Sequence, residues 1–148
     1  MRIWVDADAC PKVIKEILFR AAIRTKTLTI LVSNSPLSTP SSSYITKIQV
    51  MAGFDVADEK IISGLEPGDL VITADIPLAA AAVNKACVAL NPRGELYSES
   101  NIKQRLSIRN FSDSLRSSGV ITGGPDKLSK KEIQNFSNNL DWILRGQA

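Results

Sequence analysis

Two short apolar runs, Ile3 to Val5 and Leu28 to Val32, flank a stretch in which Val13, Ile14, Ile17, Leu18, Ala21 and Ala22 recur at helical spacing. Runs this brief suit strands buried on both faces, and the β-branched residues of the second fit a pleated surface. Pro11 falls in the first turn of the intervening helix, where its missing N–H costs nothing. A strand, helix, strand unit of this kind calls for parallel strands, because the helix is the crossover that parallel neighbours require. The alternation continues with a strand candidate at Lys47 to Met51, a helix at Val56 to Leu65 ahead of the Pro67-Gly68 turn, and a strand at Asp69 to Ala74. An Ala-rich helix at Ile76 to Lys85, with Pro77 near its start, then leads to a fifth strand at Cys87 to Leu90. The fold class expected from this order is α/β: a three-layer α/β/α sandwich around a mostly parallel five-stranded sheet in the order 3-2-1-4-5.

After Asn91-Pro-Arg-Gly the pattern turns helical, over about Asn101 to Ser117 and again after a turn at Gly123 to Pro125. The last helix opens with a capping box, Ser129 with Glu132, and carries Ile133, Phe136, Leu140, Ile143 and Leu144 as a buried stripe. The expected organisation is a single domain over residues 1–148, with a sheet core (1–92) and a helical extension (93–148) packed on it; 148 residues suffice for one core without disulfides or a structural metal. Ser33 to Ser43, rich in Ser, Pro, Asn and Thr, reads as an exposed loop beyond the second strand.

Composition removes several classes of function. The longest weakly charged stretch, Leu70 to Val83, contains Asp75 and Pro77 and is 14 residues long. A membrane helix needs roughly 20 apolar residues. Two carboxylates in Met1-Arg-Ile-Trp-Val-Asp-Ala-Asp stand where a secretory signal would be apolar, so a cytoplasmic location is expected. There is no histidine, which removes Ser-His-Asp and Cys-His mechanisms and the ordinary general base near neutral pH. Cys10 and Cys87 lack CxxC spacing and are expected as reduced thiols. Residues 1–90 carry 9 Lys or Arg against 9 Asp or Glu, and residues 91–148 carry 9 against 6, so the net charge of +3 lies wholly in the C-terminal part. A surplus of that size permits a polyanionic partner without demanding one.

In open α/β sheets, ligands bind beyond the carboxyl ends of the strands. The first strand ends at Asp6, with Asp8 two residues on, and the fourth ends at Asp75, each just before a helix that starts with proline. If these strands are neighbours, the acids converge. Mutual repulsion makes such a cluster costly unless a cation neutralises it, and oxygen ligands favour a hard ion such as Mg2+ or Mn2+. The competing reading is that each acid caps a helix N-terminus. Asp55, Asp58 and Glu59 form another acidic group, explained equally by a further ligand or by a charged helix start. Cys10, at a helix start, reads as a small buried residue rather than a nucleophile. Arg93, beyond the fifth strand, is a candidate phosphate contact, with a plain turn as the alternative. Lys103, Arg105, Arg109 and Arg116 fall in one stretch with few acids, either a solvated face or a track for a nucleic-acid backbone. Aromatic residues are too sparse to argue for base-stacking platforms.

Several motifs carry a resemblance over essentially the whole chain: Ile3-Trp-Val-Asp-Ala-Asp-Ala-Cys-Pro, Gly53-Phe-Asp-Val-Ala-Asp, Gly68-Asp-Leu-Val-Ile-Thr-Ala-Asp-Ile-Pro-Leu-Ala, Leu90-Asn-Pro-Arg-Gly-Glu-Leu-Tyr and Ser118-Gly-Val-Ile-Thr-Gly-Gly-Pro. Together they resemble the YaiI/YqxD family of uncharacterised bacterial proteins. That family looks PIN-like in fold, and Thr73-Ala-Asp-Ile-Pro-Leu-Ala is similar to the Thr-x-Asp-x-x-Leu segment of PIN-domain nucleases, in which acids from several strand ends hold magnesium or manganese and cut RNA. The resemblance implies Asp6 and Asp75 as metal ligands, Asp8 as a neighbouring acid and Asp58 as a match to the helix-borne acid. It implies Asp6, Asp8 and Asp75 as the catalytic set and RNA as the partner.

The chain departs from the PIN pattern at Asn91, where PIN nucleases commonly offer another acid, and in its Asp-Ala-Asp-Ala-Cys-Pro opening. A neutral amide is a weaker ligand than a carboxylate. Two rivals follow. One is a PIN-like RNA-binding module that cuts nothing. The other is a haloacid-dehalogenase-type phosphatase, whose nucleophile and acid pair Asp6-Ala-Asp resembles, although Cys10 replaces its usual Thr or Val and Gly68-Asp69 precedes a strand instead of following one.

Overall fold

A computed structural model describes residues 1–53, 55–104 and 127–146. The strands are β1 (Ile3–Asp6), β2 (Thr29–Ser33), β3 (Ile45–Gln49), β4 (Leu70–Ile72) and β5 (Val88–Leu90), all parallel, in the order β3-β2-β1-β4-β5. The expected architecture and strand order are therefore present. Helices α1 (Lys12–Thr25), α2 (Val56–Gly64) and α3 (Ile76–Asn84) make the crossovers that follow β1, β3 and β4, and α4 (Lys130–Leu144) returns to the sheet. Among the described residues no helix is long and apolar enough to cross a membrane.

Period-two alternation sorts the strands into two cores. Ile3 and Val5 of β1, Leu31 of β2, Leu70 and Ile72 of β4 and Leu90 of β5 face one side, where Ile14 and Leu18 of α1 and Phe136, Leu140 and Ile143 of α4 close over them. Trp4, Ile30, Val32, Val71 and Ala89 face the other side, under Ile61 of α2 and Leu78, Ala79 and Ala82 of α3. The central strands are buried on both faces, so they read as continuous apolar runs. β3 is an edge strand with only Ile45 buried, and it begins two residues earlier than hydropathy suggested because its register is set by pairing with Thr29–Ser33.

The Asn91 to Gly94 segment turns the chain from β5 towards α4. Gly94 adopts φ +97, and a Cβ there would lie 2.7 Å from the Phe136 backbone nitrogen, so the turn presses directly against the helix. Asn139 adds a hydrogen bond from Nδ2 to the Gly94 carbonyl at 2.6 Å. The capping box at the start of α4 is formed reciprocally between Ser129 and Glu132. A helical segment begins at residue 99 and is described to residue 104; the rest of the helix expected to Ser117, the Gly123 to Pro125 turn, and Arg105, Arg109 and Arg116 lie outside the described residues.

Candidate functional site

At the carboxyl edge of the sheet, β1 delivers Asp6, the loop after β4 delivers Thr73 and Asp75, and the first turn of α2 delivers Asp58. Parallel pairing of β1 with β4 sets the first of these beside the others. Asp6 is 9 % exposed and accepts a hydrogen bond at Oδ2 from the Thr73 hydroxyl, 3.1 Å away. The same Thr73 oxygen accepts the Asp75 backbone N–H at 3.0 Å. Thr73, 1 % exposed, thus links the two strand ends. Asp75 itself is the N-cap of α3: its Oδ1 accepts the Leu78 N–H at 2.9 Å, with Pro77 in the first turn. Capping and convergence are therefore both true of Asp75.

The electrostatics are those of crowded like charges. Burial pushes the Asp6 carboxyl above the usual range, and the charges of Asp75 and Asp8 push it further, against the lowering effect of the Thr73 hydrogen bond. Asp58 is raised to about 6, first by burial and then by Asp75, Asp6 and Asp55. Asp55 enters α2 with a left-handed backbone, φ 60, and makes no side-chain cap. Asp8, in the Ala7–Ala9 turn after β1, is exposed and near enough for its charge to act on Asp6, while its carboxylate accepts the Asn34 N–H at 2.7 Å and the Ser35 hydroxyl at 3.0 Å, holding the loop that follows β2.

The structure thus gathers Asp6, Asp58 and Asp75, with Asp8 beside Asp6 and both of its oxygens engaged by Asn34 and Ser35. Arg93 is engaged by α4, its Nη1 donating to both Glu132 carboxylate oxygens at 3.0 Å. Lys103 stands beside Val83 and Asn84, at the end of α3 remote from Asp75. Cys10 is buried, its thiol pushed up to about 12 by burial, which is the reverse of an activated nucleophile. Cys10 and Cys87 are both free thiols. Thr73 is the residue that sequence reading left without a role; its signal is a hydroxyl two residues before an aspartate, the spacing at which Ser and Thr side chains take a backbone N–H.

Could the residues present hold a hard cation? Among the described residues, Asp6 Oδ1, Asp75 Oδ2 and both Asp58 oxygens accept no hydrogen bond, and all are carboxylate oxygens, the donor type that magnesium and manganese prefer. The donor chemistry fits. Among the described residues, however, no group of three or more His, Cys, Asp or Glu side chains is placed so that it could hold a metal ion.

Comparison with known proteins gives a family. A profile of the uncharacterised YaiI/YqxD family matches residues 4–146. The chain belongs to the YaiI/YqxD family. Within it, the chain is 61 % identical over 147 residues to a UPF0178 protein of Cronobacter sakazakii, covering 99 % of this chain and 97 % of the relative. It is 61 % identical over 144 residues to a UPF0178 protein of Hahella chejuensis, covering 97 % and 96 %, and 60 % identical over 148 residues to one of Hydrogenovibrio crunogenus, covering 100 % and 98 %. No solved structure matches.

Proposed function

We propose that this YaiI/YqxD protein hydrolyses phosphodiester bonds of single-stranded RNA with the help of Mg2+ or Mn2+ held at Asp6, Asp58 and Asp75. The observation that carries the proposal is the convergence of these carboxylates from three elements, with oxygens left over and with Asp75 raising the proton affinity of both Asp6 and Asp58. Bound there, the ion supplies charge neutralisation and Lewis acidity towards a phosphodiester. Asp6 and Asp75 hold it from the strand ends, and Thr73 fixes the Asp6 carboxylate so that Oδ1 stays available. Asp58 would add the third carboxylate from α2, and in a chain without histidine the attacking water would be activated by the ion or by one of these carboxylates. Asp8 holds the loop at Asn34 and Ser35, and Arg93 stays with Glu132.

The second reading, an RNA-binding module without cleavage, is favoured by the absence of a pre-assembled ligand group among the described residues. One experiment separates them. Labelled single-stranded RNA is incubated with manganese and either the wild type or Asp75→Asn, which keeps an oxygen for the Leu78 N–H. Cleavage that disappears in the variant supports the hydrolase. Salt-sensitive binding without cleavage supports the binding module. Equal cleavage by both proteins removes these residues from the chemistry, and turnover of a phosphate monoester in place of RNA redirects the site to phosphatase chemistry.

A further inference from the structure

Lys12, Lys15, Glu16 and Phe19 follow one another at i, i+3, i+4 and i+7, so they share one face of α1. That face looks onto the loop after β2, and between them lies a cavity of about 590 Å³. Its size falls within the roughly 300–1,000 Å³ of small-ligand sites. Leu31 of β2 contributes to its wall, and Pro36, Leu37 and Pro40 come from the loop. The site is divided by polarity. Phe19, Leu31 and Leu37 offer an apolar, part-aromatic surface, whereas the two lysines outnumber the single Glu16 and lie towards the start of α1, the end of the helix nearest Asp6.

The loop wall is held at its start, from Asn34 to Leu37. Asp8 takes the Asn34 N–H and the Ser35 hydroxyl, and Lys47 Nζ donates to the Leu37 carbonyl at 2.6 Å. A wall pinned in this way gives a preformed site, which lowers the ordering cost of binding. We propose that this cavity receives one nucleotide of the RNA strand, its base against Phe19, Pro36 and Leu37 and its phosphate against Lys12 and Lys15. The identity of the ligand rests on the RNA reading of the neighbouring acids. Its chemistry rests on the cavity: a flat apolar ring stacks on an aromatic or proline face, and the adjoining anion meets the two ammonium groups. Asp8 thereby acquires a positioning role, setting the loop that forms the base-binding wall at a fixed distance from the strand that carries Asp6.

The test uses the full chain in EDTA, so that binding is read without cleavage. Anisotropy of a short labelled single-stranded RNA and calorimetry with adenosine and uridine monophosphates are compared for the wild type, Lys12→Gln/Lys15→Gln and Leu37→Trp, with thermal melts confirming that each variant folds. The double lysine variant is expected to bind RNA about ten-fold more weakly, with a salt dependence shallower by about 0.7 in log–log slope for each phosphate released. Leu37→Trp, which fills the cavity, should abolish mononucleotide binding. Unchanged affinity and slope in the lysine variant overturn the proposal, and so does mononucleotide binding by folded Leu37→Trp. The two readings separate cleanly. Manganese-dependent cleavage that is lost in Asp75→Asn but untouched by the lysine variant ends the cavity proposal and leaves the hydrolase. Mononucleotide binding lost in both cavity variants, with no cleavage by wild type, ends the hydrolase and keeps the cavity.

Discussion

Asp69 and Asp6 flank neighbouring strands at opposite edges of the sheet, both are buried, and their carboxyl groups shift in opposite directions. At the amino edge, Asp69 accepts the Arg2 N–H at 3.0 Å, the Arg2 guanidinium at 3.0 Å, the Glu66 N–H at 3.1 Å and the Trp4 indole N–H at 3.3 Å. Burial raises its pKa, but these donors and the Arg2 charge outweigh burial and hold it below the usual range. At the carboxyl edge, Asp6 has one donor among the described residues, Thr73, and the charges acting on it are those of acids. The contrast shows that burial alone says little about an acid's purpose. A carboxylate surrounded by donors is holding the fold, whereas one surrounded by carboxylates is held in place by the fold at an electrostatic cost.

The largest effect expected from this contrast is at the amino edge. Asp69→Ala strands four donors at a side chain 5 % exposed and should lower unfolding free energy by about 2–4 kcal/mol, below the full buried-pair value because Arg2 is 30 % exposed. Urea denaturation with an unchanged m-value measures it. A loss under about 0.5 kcal/mol, the range of ordinary surface changes, would erase the difference between the edges.

The carboxyl edge should answer with the opposite sign. Asp58→Asn relieves repulsion and is expected to stabilise the metal-free protein at pH 7 by about 1 kcal/mol, after discounting for solvent screening. The same balance appears in the pH dependence. With Asp58 raised to about 6, the folded protein binds a proton between about pH 4 and 6 that the unfolded chain does not, so stability contributed by this group falls as pH rises through that window. Asp69 works the other way: its depressed pKa gives stability that is present above about pH 4 and lost as the pH drops through the folded value. Thermal melts from pH 3 to pH 8 should flatten on the upper limb in Asp58→Asn and on the lower limb in Asp69→Asn. A variant that flattens the wrong limb would reverse the assignment.

The smallest effect tests whether Asp75 belongs to both categories. Asp75→Ala loses the cap on Leu78 and should cost about 1 kcal/mol, whereas Asp75→Asn keeps an acceptor oxygen and should cost close to nothing. Equal melting temperatures for the two would mean that the cap contributes no stability.

These edges also differ in how far the sequence discloses them. Strands buried on both faces announce themselves as apolar runs, so β1, β2, β4 and β5 and their order were legible, and the edge strand β3, with only Ile45 buried, was misplaced by two residues. Asp6 and Asp75 were legible because each ends an apolar run ahead of a proline-opened helix. Asp58 could be named only through resemblance, since a first-turn acid is also an ordinary helix feature. Asp8 and Asp69 were not legible. The donors that engage Asp8 lie 26 and 27 residues away, and Trp4 and Arg2, which meet Asp69, lie 65 and 67 residues away, pairings fixed by sheet register and invisible in local pattern. The pairing of Arg93 with Glu132 was hidden for a related reason, because Glu132 lies 39 residues further on.

The contact of α4 with the sheet carries a consequence for the order in which a nascent chain becomes native. Asp6, Asp58 and Asp75, together with α2 and α3 above them, are all synthesised before residue 91. The opposite apolar face, with Ile3, Leu31 and Leu70, is covered by α1 alone until Phe136, Leu140 and Ile143 have left the ribosome and α4 has seated against the Gly94 turn. During that interval the side under α2 and α3 needs only Tyr97 and Ile102 to finish its core, whereas the other is a sticky, half-built surface, the state in which a chaperone or a neighbouring nascent chain would find it.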